Sequence, residues 1–221
     1  MPQDETSATF YFDTVSPYAY LMWAALQRLP FGRQIRPVPV VFGAILAHWG
    51  QLGPAEVGAK RLHTYRQCQW LAARENIPFR FPPAHPFRSL ESLRLIAALD
   101  NAEAAITTVF DAIFAVGLDV ASPGVLADIG RKLGVPDVPA LIAASDAGAT
   151  LRENTGAAIA RGVFGVPTLV VDNELFWGFD SLPMAREYLE RPGLFESAEM
   201  KRLVDLPVGV SRKRPPPAQQ S

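Results

Sequence analysis

The 221-residue chain is 49% hydrophobic and 19% charged, with 21 lysines and arginines against 22 acidic residues for a net charge of −1. That apolar content suffices for one substantial core or two small ones, and the near-neutral charge offers little to neutralise phosphates, so no nucleic-acid partner is expected. No run of about eighteen apolar residues exists to span a bilayer, and the acidic first five residues lack the basic and then apolar regions of a signal peptide; a soluble, cytoplasmic protein with no membrane partner is expected.

The 8–12 segment, with Thr9-Phe10-Tyr11-Phe12, reads as a buried strand. The period then changes. From Pro17 to Leu29 the apolar residues recur at three and four, and Ser16 followed by Pro17 has the form of an N-cap and first helical position. Residues 35–42 return to a β-type pattern broken by prolines, as in a short or edge strand. Between Gly43 and Gly162 the chain turns alanine- and leucine-rich, with helical candidates at 55–76, 89–100, 102–116, 123–133 and 136–148. The proline-dense 77–87 stretch must be an extended loop. A helix at 149–161 leads to two strands, 168–171 and 175–177, flanking Asp172-Asn173 as a hairpin would, and to a closing helix at 182–191.

This β-α-β, helical block, α-β-β-α order predicts an α/β protein with a thioredoxin-like fold and a large all-helical insertion. The expected division is a discontinuous thioredoxin-like domain at 1–48 and 158–205, a helical insertion domain at 49–157, and a disordered tail at 206–221.

Cys68 is the only cysteine, so neither an internal disulfide nor a two-cysteine redox centre can form within one chain. It lies in a helical segment and reads as a buried, inert thiol. The three histidines, His48, His63 and His85, lack the close pairing of a zinc site, and no metal is expected.

Three features carry chemistry. Ser16 stands at the N-terminus of the first helix, where free N–H groups and a partial positive charge stabilise a thiolate. It reads either as a cap only or as a hydroxyl that donates to a thiolate brought in by a ligand. Val166-Pro167 precedes a strand. If its peptide bond is cis it exposes the Val166 backbone for strand-like pairing with an extended peptide such as glutathione; if trans, it is an ordinary turn. Asp180, after Phe176-Trp177-Gly178-Phe179, reads either as a cap of the last helix or as an acceptor for a ligand ammonium.

With Phe10-Tyr11-Phe12-Asp13 leading to Ser16-Pro17-Tyr18, His85-Pro86-Phe87 before a helix, and Gly162-Val163-Phe164-Gly165-Val166-Pro167-Thr168 leading to Phe176-Trp177-Gly178, the chain resembles the 2-hydroxychromene-2-carboxylate isomerase family, a branch of the kappa-class glutathione transferases related to disulfide oxidoreductases. The resemblance covers nearly everything between Thr9 and Leu189. It implies glutathione as cofactor, Ser16 as the catalytic serine at its thiolate, and Val166, Pro167, Trp177, Gly178, Phe179 and Asp180 as further binding residues. It also implies reversible thiolate addition to an aromatic conjugated keto acid, and a homodimer.

Tyr18, His48, His85 and Arg88 are candidate substrate contacts. Arg88 replaces an asparagine common in related sequences and reads either as a carboxylate partner or as a solvated loop arginine; Ser181 replaces an arginine. A kappa-class-like glutathione transferase and a non-catalytic thioredoxin-fold module binding extended peptides are the alternative expectations.

Overall fold

Strand β1 (Ser7–Phe12) belongs at the centre of a sheet because both of its faces are buried. In the computed structural model, which describes residues 7–28, 31 and 34–210, Ala8, Phe10 and Phe12 are fully enclosed and Thr9 and Tyr11 nearly so. β1 pairs in parallel with β2 (Gln34–Pro39) and antiparallel with β3 (Thr168–Val171). Through Asp172-Asn173, β3 turns into antiparallel β4 (Glu174–Trp177), giving the order β2-β1-β3-β4. Pro37 and Pro39 sit in β2, an edge strand, where missing donors cost the ladder least.

Each face of the sheet is covered by helices. On one, Trp23 of α1 (Pro17–Arg28) stacks on Phe10 at 5.7 Å between ring centroids, and Phe110 of α5 (Glu103–Phe110) meets Phe12 at 5.6 Å. Burying each such side chain is worth about 1.5–3 kcal/mol. On the other, Tyr11, Val38, Val40 and Val170 cluster with Ile45 of α2 (Phe42–Trp49) and Ala158 of α8 (Ala147–Ala160). The remaining helices between β2 and β3 are α3 (Gly58–Arg74), α4 (Leu90–Ala98), α6 (Pro123–Lys132) and α7 (Val138–Ala144), and α5 runs on into a π-helical turn at Asp111–Ala115. The α/β, thioredoxin-like order with helices inserted between β2 and β3 is the expected one.

Three elements differ from the sequence pattern. The β-type run expected to reach Phe42 stops at Pro39, and Phe42 instead opens α2. The 136–148 helix breaks at Ser145, which is extended (φ −101°, ψ 160°), into α7 and α8. Residues from Arg186 form a second compact unit that contains a 3₁₀ turn at Pro192–Phe195 and α10 (Ala198–Val204), to which the pattern assigned nothing. Ser197 caps α10 by accepting the Met200 N–H at 3.2 Å. Residues 206–210 are exposed and irregular; the rest of the expected tail, 211–221, and the expected helix residue Leu29 lie outside the described residues. Among the described residues no helix is long and apolar enough to cross a membrane.

Candidate active site

Ser16 ends the turn that joins β1 to α1, and its side chain performs two roles at once. Its Oγ accepts the Ala19 N–H at 3.2 Å, the bond of an N-cap, and donates to the Val166 carbonyl at 3.4 Å. The second bond is long, so the hydroxyl proton is weakly committed and free to be re-aimed. Pro17 has no N–H, and the Tyr18 N–H meets no acceptor among the described residues, which leaves a backbone donor beside Ser16 at the positive end of α1.

Val166-Pro167 is a cis peptide. The Val166 N–H has no partner among the described residues, while the Pro167 carbonyl accepts the Gly178 N–H at 2.9 Å and so ties this bend to the end of β4. Gly165 permits a close approach: a Cβ there would stand 2.5 Å from the Trp177 indole nitrogen. Trp177, 52% exposed, lies across that glycine and against Phe164.

Gly178 has φ +85° and ψ 155°, a region open essentially to glycine alone. The chain then enters a 3₁₀ turn, Phe179–Ser181. Asp180 is the middle residue of that turn and caps no helix; its exposed carboxylate accepts no hydrogen bond among the described residues. The capping alternative for Asp180 is thereby corrected. Ser181 instead closes the turn, its hydroxyl donating to the Gly178 carbonyl at 2.8 Å.

Ser16, Val166, Pro167, Trp177, Gly178, Phe179 and Asp180 line one cavity of about 680 Å³, together with Tyr18, His85 and Arg88. His48 is not among them; it is exposed on α2 with its ring edge-on to Trp49, because Ile45 and Leu46 take the buried face of that helix. The lining also includes the apolar side chains of Phe42, Leu46, Leu71, Phe87 and Leu90. Among the described residues Arg88 is the only lysine or arginine of the lining, and Glu91 stands 4.0 Å from it.

Tyr18 donates to Gln67 Oε1 at 2.7 Å and meets the Cys68 thiol behind it. Burial, then the neighbouring Cys68 and Asp180, push the Tyr18 phenol up. Burial pushes the Cys68 thiol up to about 12, with the Tyr18 hydrogen bond opposing.

His85 lines the cavity, yet both ring nitrogens are occupied by protein: Nε2 by the Val15 carbonyl at 2.8 Å and Nδ1 by Tyr65 Oη at 3.1 Å. Neither ring nitrogen is left free for a substrate, while the residue itself stays in the cavity lining, where a substrate contact was expected. Burial holds His85 below the usual imidazole value, opposed by the Val15 carbonyl. Sequence reasoning gave no role of its own to Asp13, which is buried in the same turn and accepts from the Val15 and Phe42 N–H groups, each at 2.9 Å, and from the Ser89 hydroxyl.

Comparison with known proteins agrees with this fold. The DSBA-like thioredoxin domain matches residues 8–190. The chain is 32% identical over 190 residues to a 2-hydroxychromene-2-carboxylate isomerase of Sphingobium xenophagum, spanning 81% of this chain and 96% of the relative. It is 31% identical over 189 residues to the isomerase of that name from Pseudomonas putida, spanning 82% and 93%. Glutathione S-transferase kappa 2 of Caenorhabditis elegans is 27% identical over 205 residues, 83% of this chain and 91% of that one. The solved structure of selenomethionyl 2-hydroxychromene-2-carboxylate isomerase superposes with a TM-score of 0.73 at 28% identity, over 84% of this chain and 95% of its own. With a turn built on serine in place of paired cysteines and relatives of these two kinds, the chain belongs to the DSBA-like thioredoxin family, in the branch of the 2-hydroxychromene-2-carboxylate isomerases and kappa-class glutathione transferases.

Proposed function

We propose that the protein is a glutathione-dependent isomerase of the 2-hydroxychromene-2-carboxylate type, acting on an aromatic conjugated keto acid. The observation that carries this reading is the meeting in one cavity of the Ser16 hydroxyl with the Val166 amide and the Asp180 carboxylate, both unpaired among the described residues. Its volume of about 680 Å³ lies within the range usual for small-molecule sites.

These groups fit a tripeptide that carries a thiol and an ammonium. The Ser16 hydroxyl and the first turn of α1 stabilise negative charge on sulfur; the Val166 N–H and C=O pair with an extended backbone; Asp180 receives an ammonium, with Trp177 as the adjoining wall. Bound there, glutathione supplies a thiolate for reversible addition to a conjugated double bond, which permits rotation before elimination. Arg88 offers a bidentate partner to the carboxylate of the acid. The apolar wall around Phe42 and Phe87 takes its ring, and Tyr18 borders the same space.

The test is turnover of 2-hydroxychromene-2-carboxylate with and without glutathione, in the wild type and in Ser16→Ala. Glutathione-dependent isomerisation that falls by about 10²-fold or more in the variant is expected, the scale of losing a donor to developing charge. Full glutathione-dependent turnover in Ser16→Ala overturns the assignment.

A second reading, glutathione transfer, draws support from the kappa-class relative. Consumption of glutathione into a stable adduct identifies it, whereas an isomerase regenerates its thiol. The proposal also carries the cytoplasmic location and homodimeric state expected from the sequence, which cell fractionation and sedimentation test.

A further inference from the structure

We infer that His85 is a positioning residue for the thiol site: its Nε2–H holds the Val15 carbonyl and so fixes the Val15–Ser16 peptide that aims the Ser16 hydroxyl. The inference rests on the glutathione reading of that site.

A carbonyl oxygen only accepts, so the 2.8 Å contact with Val15 places a proton on Nε2 and sets the tautomer of His85. The other end of the same peptide is tied as well, because the Ser16 N–H donates to the Asp13 carbonyl at 3.0 Å. Rotation of this peptide requires both bonds to break. Ser16 thus inherits its orientation from a ring 70 residues further along the chain.

The ring is itself immobilised. The rings of Phe81, Phe87 and Phe114 surround it at 5.5, 6.1 and 6.4 Å, and Tyr65 lies edge-on at 5.3 Å. Tyr65 donates its one hydroxyl proton to the backbone carbonyl of His85 at 2.6 Å, and the same oxygen lies 3.1 Å from Nδ1, so the phenol is tied against the imidazole through the backbone.

The rest of the turn is secured from the same segment. Ser92 donates to the Ser89 carbonyl at 2.8 Å, which leaves Thr14 to donate to the Ser92 hydroxyl, also at 2.8 Å, and the Ser89 hydroxyl reaches Asp13. Residues 13 to 16 are therefore each held, and His85 supplies the hold nearest the serine.

Two measurements test the inference. In the ligand-free full chain, nitrogen NMR of the His85 imidazole is expected to show a proton on Nε2 at neutral pH; a neutral ring protonated on Nδ1 overturns it. In the loaded protein, ultraviolet absorbance of the bound glutathione thiolate is followed against pH for the wild type, His85→Phe, which keeps an aromatic ring but loses the donor, and His85→Gln, which can still present an N–H. The titration midpoint is expected to rise by about one pH unit in His85→Phe and to return toward the wild type in His85→Gln, the scale of one lost hydrogen bond to the charged form.

Binding of glutathione with no movement of the midpoint in His85→Phe overturns the inference alone. Failure of the wild type to bind glutathione overturns the functional reading, and the inference with it. If His85→Phe does not fold, the Gln variant and the ring spectrum decide: a Gln variant that binds glutathione with a midpoint raised as though no N–H were present counts against the inference.

Discussion

The Asp13 carboxylate accepts the Phe42 N–H at 2.9 Å and so joins the end of β1 to the first turn of α2 across 29 residues. Its other oxygen takes the Val15 N–H, and the Ser89 hydroxyl adds a third donor, so a buried carboxylate with no ion-pair partner among the described residues is held by hydrogen bonds. An asparagine offers one acceptor oxygen and presents its own donors to a donor. Asp13→Asn is expected to cost about 1–3 kcal/mol, the range for a buried polar group left unmatched, read from denaturant unfolding.

The same carboxyl gives a signed pH dependence. Burial pushes Asp13 above the usual carboxylate value, against the Val15, Phe42 and Ser89 hydrogen bonds. As pH rises past that usual value the unfolded chain loses this proton first and the folded chain retains it, so the Asp13 contribution to stability falls with rising pH until the folded group has also ionised. Unfolding free energies measured across the acid range in wild type and Asp13→Asn should differ by a curve that drops over this interval and is flat above it. A difference independent of pH would show that the carboxyl is not raised.

Asp13 also explains what the sequence pattern concealed. The opening strand, turn and helix were legible because their signals are local: an aromatic run, a Ser-Pro cap, then apolar residues at three and four. The start of α2 was not, since Val41 precedes it with no side-chain cap and the Phe42 N–H is met by Asp13 from the preceding β-α turn. Asp180 looked like a cap because an aspartate before a helix usually is one; a 3₁₀ turn intervenes and leaves its carboxylate in the cavity. His85 could be found as part of a motif but not by role, because its ring partners, Val15 and Tyr65, lie 70 and 20 residues away.

Gly178 should be intolerant of a side chain for two reasons that act together. Its φ of +85° with ψ 155° is a glycine conformation, and a Cβ there would stand 2.5 Å from Asp180 Oδ1. Gly178→Ala is expected to lose about 1–3 kcal/mol of stability from the backbone alone. Glutathione affinity measured by calorimetry should fall further than in Asp180→Asn, since the alanine shifts both the turn and the carboxylate. Unchanged affinity in Gly178→Ala would remove the Trp177–Asp180 segment from the site.

Cys68 is predicted to take no part in the chemistry despite lying behind Tyr18. It is fully enclosed, and with its thiol pushed up to about 12 it presents almost no thiolate at pH 8. Iodoacetamide should therefore label the native protein only at the rate at which it opens, and labelling should become fast in denaturant. Cys68→Ala should lower stability by about 1–2 kcal/mol through lost packing while leaving glutathione affinity within about twofold. Rapid labelling of the folded protein that glutathione suppresses would instead place this thiol within reach of the cavity and overturn its assignment as an inert core residue.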